Sequence, residues 1–81
     1  MESIKEKIRV HITEAVFEEK DKIKDDTLIF QEGYLDSMGF VMLLGFLEET
    51  FGVKPDDADL IEENFESINA IKHYVLQKQE A

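Results

Sequence analysis

The sequence predicts an all-α fold: a small bundle of three main helices plus one short helix, with a long first loop. Three observations carry that prediction. Apolar residues recur at helical spacing in separate stretches, and residues that open and close helices stand at the ends of those stretches. No stretch shows the strict polar–apolar alternation of a half-buried strand. The chain has 81 residues, of which 43% are hydrophobic, enough for one core and too few for a second, so residues 1–81 are expected to form a single domain.

The first helix is expected from about Ser3 to Glu19. Ser3 followed by Glu6 matches a capping box, and Ile4, Ile8, Ile12 and Ala15/Val16 follow at helical spacing, with Val10 and Phe17 a heptad apart on a neighbouring stripe. Asp21 to Asp36 reads as a polar loop punctuated by Leu28-Ile29-Phe30 and Tyr34-Leu35, which should pin it to the bundle; long loops inside small domains tend to be functional. The next helix is expected from Ser37 to Phe51, with Gly52 as its stop and Pro55 beyond. Phe40, Leu43/Leu44, Leu47 and Phe51 should face the core, and Met38, Met42, Gly45/Phe46 and Glu49 should face outward. A helix apolar nearly all round is either fully buried or presents a binding face, and a chain this short favours the second. Asp56-Asp57-Ala58-Asp59 reads as a polar turn. Leu60 to Phe65 reads as a short helical turn that drops Leu60, Ile61 and Phe65 onto the core. Ser67 then caps a last helix carrying Ile68, Ile71, Val75 and Leu76 and ending near Lys78.

Charge narrows the function classes. Nineteen acidic residues against nine basic ones leave a formal charge of −10, which repels nucleic acid and anionic lipid and favours encounter with basic protein surfaces. The longest apolar run, Phe40 to Leu44, is too short to span a bilayer, and Met1 to Glu6 lacks the apolar stretch of a signal peptide. The expectation is a cytoplasmic protein, a monomer, with no membrane insertion. There are no cysteines, and His11 and His73 lie on separate helices as surface or boundary residues, so no metal site is expected. Asp21, Asp25 and Asp26 lack the spacing and the glycine of a calcium loop. Phe17, Phe30, Phe65 and Tyr74 are core candidates.

Ser37 is the residue on which chemistry can be placed. Asp36 can cap the helix that Ser37 opens, so the serine hydroxyl should project from a first turn whose unpaired N–H groups and dipole suit a phosphate ester. No base is evident to activate it, so the chain is not expected to be an enzyme and Ser37 reads as an attachment point. Met38 and Met42 suit adaptable partner contact, and Glu48 and Glu49 offer charge to a basic partner.

Asp36-Ser37-Met38 at a loop–helix junction resembles the Asp-Ser-Leu attachment motif of acyl carrier proteins and their peptidyl and aminoacyl relatives. The resemblance extends over nearly the whole chain: the first amphipathic helix, the loop ending in Gly33, the helix closing with Leu47-Glu48-Glu49-Thr50-Phe51-Gly52-Val53, and the last helix. It implies an acyl-carrier-protein-like four-helix bundle. It also implies that Ser37 bears a covalent 4'-phosphopantetheine arm, attached by a phosphopantetheinyl transferase from coenzyme A with magnesium, and that Asp36 helps engage the metal and the transferase. The arm would hold acyl intermediates as thioesters for an acyl-loading ligase and for acyl-processing or acyl-transfer enzymes with basic or apolar docking surfaces. Lipid or secondary-metabolite biosynthesis is the implied setting.

Met38 replaces the usual leucine, and Gly39 and Met42 stand where carriers of fatty acid synthesis tend to show acidic residues. That points to a specialised stand-alone carrier. The stretch Ile29 to Ser37 also looks like carriers that load amino acids, including alanyl carriers, whereas Glu63 to Ile68 looks like carriers of secondary-metabolite or surface-lipid clusters. An aminoacyl or peptidyl carrier is therefore one alternative; an unmodified acidic interaction module using the Met38–Glu49 helix face is another. The facing stripes Ile8, Ile12, Phe30, Leu43, Leu47, Ile61, Ile71 and Val75 are candidates to shelter an acyl chain.

Overall fold

The three longer helices begin where the sequence supplies a cap. The computed structural model describes residues 3–16 and 22–80. Helix α1 spans Ile4–Val16, and the Ser3 hydroxyl accepts from the Glu6 N–H at 3.1 Å, the first half of the expected capping box. Helix α2 spans Ser37–Phe51 with Asp36 as its cap. A 3-10 turn at Asp57–Asp59 precedes the single-turn helix α3, Glu62–Phe65. Helix α4 spans Ile68–Glu80, two residues beyond the expected end, and the Ser67 hydroxyl accepts from Ala70 N–H at 3.1 Å. Among the described residues the elements are all helical. The expected continuation of α1 to Glu19, and with it Phe17 and Asp21, lies outside the described residues.

One core joins the elements. Ile8 and Ile12 of α1, Leu43 and Leu47 of α2, Phe65 of α3 and Ile68, Ile71 and Val75 of α4 are fully buried. Each such side chain contributes about 1.5–3 kcal/mol by leaving water. The loop after α1 is part of this core rather than a flap over it, because Ile23, Ile29 and Leu35 are buried with the rest. It is also tied down by polar contacts. The Arg9 guanidinium donates to the Ile23 carbonyl at 2.6 Å and pairs with Asp25, which Lys5 meets at 3.0 Å. On the far side, Asn69 N–H donates to Asp25 O at 3.0 Å and Ile29 N–H to Glu66 O at 2.9 Å. Near the loop's end, Tyr34 and Leu35 N–H both donate to Ile29 O, at 2.9 and 3.0 Å. Gly33 just before them takes φ +82°, a conformation that side-chain-bearing residues rarely adopt.

Helix α2 ends in a Schellman turn. Gly52 at φ 69° donates to Glu48 O at 3.0 Å and Val53 donates to Leu47 O at 3.2 Å.

Several expectations are corrected. Leu60 and Ile61 do not reach the core: they are 41% and 48% exposed, because the chain stays extended through Ile61 (φ −116°, ψ 147°) and α3 starts only at Glu62. Only Phe65 of that segment turns inward. Phe46 is not an outward residue of α2 but is half-buried, stacked on His11 of α1 with ring centroids 4.2 Å apart. Phe30, Phe40, Leu44 and Phe51 pack against the core without being enclosed by it. Among the described residues no helix is long and apolar enough to cross a membrane.

Candidate functional site at the head of helix α2

Loop and helix meet at Asp36, whose extended backbone (φ −105°, ψ −172°) turns the chain into α2. Its Oδ1 accepts from the Gly39 N–H at 2.9 Å and its carbonyl from the Phe40 N–H at 2.9 Å, closing the first turn from both side chain and backbone. Ser37 is therefore the first helical residue, and it is exposed. Leu35 anchors the approach from beneath: it is buried, and its side chain lies over Gly39. A Cβ at residue 39 would come within 2.9 Å of Leu35 Cγ. The glycine at this position, where carriers of fatty acid synthesis tend to show an acid, is what lets the loop close on the helix.

Of the residues singled out in the sequence, the helix surface brings together Ser37, Met38, Met42, Glu48 and Glu49, with Asp36 at its head. Met38 and Met42 are 69% and 57% exposed, and Glu48 and Glu49 follow on the same outward side. Val41, 61% exposed, completes the apolar half of this face. Sequence reasoning missed it, although its spacing of three from Met38 and four from Gly45 places it between them. The face is thus apolar near Ser37 and acidic about three turns further on. Glu48 meets Lys54 at 3.7 Å, an exposed pair of little energetic weight.

A cavity of about 460 Å³ opens beside Ser37, lined by Phe30, Leu35, Asp36, Ser37, Phe40, Leu60, Ile61, Glu62 and Phe65. Most of that lining is hydrocarbon. It lies between the end of the loop, the head of α2 and the segment around α3, and not along the facing stripes of α1, α2 and α4 where a sheltered interior was expected. Of the residues expected to shelter a chain, only Phe30 and Ile61 line it. The cavity is not legible in the sequence, because its wall depends on Leu60 and Ile61 staying outside the core.

The wall is held from α4. Asp59 Oδ2 accepts from Tyr74 Oη at 2.9 Å and meets Lys78 Nζ at 2.9 Å, and Asn64 Nδ2 donates to the Asp59 carbonyl at 2.8 Å. The Lys78 ammonium, and after it the Tyr74 hydroxyl, hold the Asp59 carboxyl below its usual range, while burial pushes the Tyr74 hydroxyl up. Among the described residues no group of three or more His, Asp or Glu side chains is placed to hold a metal ion.

The family model described as "Phosphopantetheine attachment site" matches residues 6–75. No curated protein matches the sequence significantly. Among solved structures, the chain is similar to a holo acyl carrier protein from Nitrosomonas europaea, with a TM-score of 0.79 at 23% identity over 100% of both chains.

Proposed function

The chain belongs to the phosphopantetheine attachment-site family, a family of carrier proteins and not of enzymes, and from that premise we propose that Ser37 bears the arm and that the cargo is an acyl group. The prosthetic group of the family is a covalently attached phosphopantetheine, whose terminal thiol holds cargo as a thioester. The observation that carries the assignment to Ser37 is its position: exposed, first in a 15-residue helix, behind a capped turn and at the mouth of an apolar cavity.

The residues present fit the group. A phosphodiester on Ser37 Oγ would sit at the positive end of the α2 dipole, beside first-turn N–H groups that lack helical partners. The Asp36 carboxylate is engaged by Gly39 N–H, so its work in the free protein is to fix the direction in which Ser37 points. Activation of the hydroxyl then falls to the transferase. Met38, Val41 and Met42 form the surface that surrounds Ser37 in any docked complex, and Glu48 and Glu49 steer basic partners toward it. The hydrocarbon of Phe30, Leu35, Phe40 and Phe65 supports acyl cargo, in lipid or secondary-metabolite biosynthesis, over an aminoacyl group, whose ammonium would find carboxylates only at the exposed Asp36 and Glu62.

The test is intact mass before and after incubation with coenzyme A, magnesium ions and a broad-specificity phosphopantetheinyl transferase. A gain of one phosphopantetheine in the native protein and none in Ser37→Ala is the expected result. A gain that persists in Ser37→Ala would move the attachment elsewhere. No gain in a folded native protein, together with partner capture abolished by Met42→Asp and kept by Ser37→Ala, would instead support the unmodified interaction module.

A further inference from the structure

The side chains around the cavity beside Ser37 are graded by depth. Asp36, Ser37, Leu60, Ile61 and Glu62 are exposed and lie at its mouth, Phe30 and Phe40 are half-buried and lie further in, and the buried Leu35 and Phe65 lie deepest. The three rings are locked edge to face. Phe30 meets Phe40 at 5.7 Å and 74°, and Phe40 meets Phe65 at 5.3 Å and 71°. Phe65 in turn meets Tyr74 of α4 at 5.1 Å and 61°, and Tyr74 is held by its hydroxyl on Asp59. Phe65 therefore belongs both to the cavity and to the core, where Leu43, Leu47, Ile71 and Val75 are all 0% exposed.

We propose that Phe65, with Phe40, closes the floor of this cavity, so that a short acyl chain carried at Ser37 is sheltered and a long one is kept out of the bundle interior. The inference rests on the reading of Ser37 as the attachment residue. To pass deeper, a chain would have to turn Phe65 away from both Phe40 and Tyr74 at once, in an interior packed at crystal-like density. Rotating Phe65 would also disturb Tyr74, whose hydroxyl anchors the turn that carries the rim. Rim and floor are thus coupled through one ring, and the cavity resists widening. Up to the floor, each methylene that leaves water favours the sheltered state by up to about fourfold. Past the floor, added methylenes stay in water and bring nothing. Phe65 and Phe40 set the length specificity of the carrier without touching the reacting thioester.

The experiment uses the protein bearing the arm, loaded in turn with acetyl, butyryl, hexanoyl, octanoyl and decanoyl groups. Loading is verified by intact mass, with Ser37→Ala as the control. The readout is the rate of thioester cleavage by hydroxylamine, divided by the rate for the same thioester of free pantetheine. In the native protein, protection is expected to rise with length from acetyl and to level off before decanoyl. In Phe65→Leu, and independently in Phe40→Leu, which alters only a half-buried ring, it should level off at a longer chain. Thermal unfolding of each loaded form should show the same break in slope. Protection that climbs steadily through decanoyl in the native protein overturns the proposal, as does protection independent of length. So does a break at the same length in the native protein and both variants. If Ser37 takes no arm, the parent reading falls and this one falls with it; loading without the break overturns this one alone.

Discussion

Gly39 and Gly45 both lie in α2, and their surroundings predict opposite signs for the same substitution to alanine. At Gly45 an added Cβ would meet nothing within 4 Å, and the position is exposed in mid-helix. Gly45→Ala should therefore realise most of the helix-propensity difference, a stabilisation of about 0.8–1 kcal/mol. At Gly39 the added Cβ would lie 2.9 Å from Leu35 Cγ, 3.3 Å from its Cδ1 and 3.4 Å from Asp36 Oδ1. Cγ is the branch point of the leucine, not a tip that can swing aside. Leu35 is also buried, and its N–H donates to Ile29 O at 3.0 Å, so relief must come from moving the loop. Overpacking of this kind costs about 1–3 kcal/mol. Set against a propensity gain of at most about 1 kcal/mol, Gly39→Ala should destabilise by about 1 kcal/mol. The two variants should then differ by about 2 kcal/mol, or roughly 8–16 °C in Tm for a domain of this size. Urea unfolding followed by far-UV circular dichroism measures both against the native protein. In a Leu35→Ala background the cost at Gly39 should vanish, as a double-mutant cycle would show. A Gly39→Ala variant as stable as Gly45→Ala, or a cost unchanged by removing Leu35, would refute the contact as the reason for the glycine.

Asp36→Ala should cost about 1 kcal/mol through loss of the 2.9 Å bond to the Gly39 N–H, with Asp36→Asn recovering most of it in urea unfolding. The Asp59 carboxyl is held below its usual range, first by Lys78 and then by Tyr74. A carboxylate with a lowered folded pKa stabilises above its ordinary range and loses that contribution as pH falls through the folded value. Urea midpoints of the native protein should therefore drop on acidification, and Asp59→Asn should be weaker at neutral pH but flatter in acid. Burial lowers the pKa of His11 below 6.5, against a smaller opposing effect of Glu14, and its Nε2 is buried without a hydrogen-bond partner among the described residues. For a base lowered by folding the slope has the same sign: stability is unaffected above the ordinary imidazole value and declines as pH falls from there toward the folded pKa. His11→Phe, which keeps a ring against Phe46, should remove that decline, and an imidazole titration by proton NMR should place His11 below the ordinary imidazole value.

What the sequence made legible was what short-range chemistry controls. Asp36 caps α2, Ser67 caps α4 and Gly52 ends α2 because each acts within a few residues of its own position. The stripe of Met38 and Met42 followed from period alone. The features that needed the third dimension were not legible. Leu60 and Ile61 looked like core residues because they are apolar beside a short helical pattern, but Asp59, drawn to Tyr74 and Lys78 of α4 from fifteen and nineteen positions away, fixes the turn in front of them and leaves them on the surface. Phe46 looked outward by spacing and is half-covered because His11 of α1 offers it a flat ring. Gly39 looked like a missing acid and proves to be the space that Leu35 occupies. For Leu60 and Ile61 and for Phe46 the missing information is a partner distant in sequence, and for Gly39 it is the way the loop folds Leu35, four residues back, onto the helix. The resemblance to an attachment motif could be read from Asp36-Ser37-Met38 together with the chain's length, acidity and helix order; the shape of the cavity beside it depends on contacts from the loop, α3 and α4. That division fits the proposed reading of Ser37, in which the attachment residue is set locally and the cavity beside it by the bundle around it.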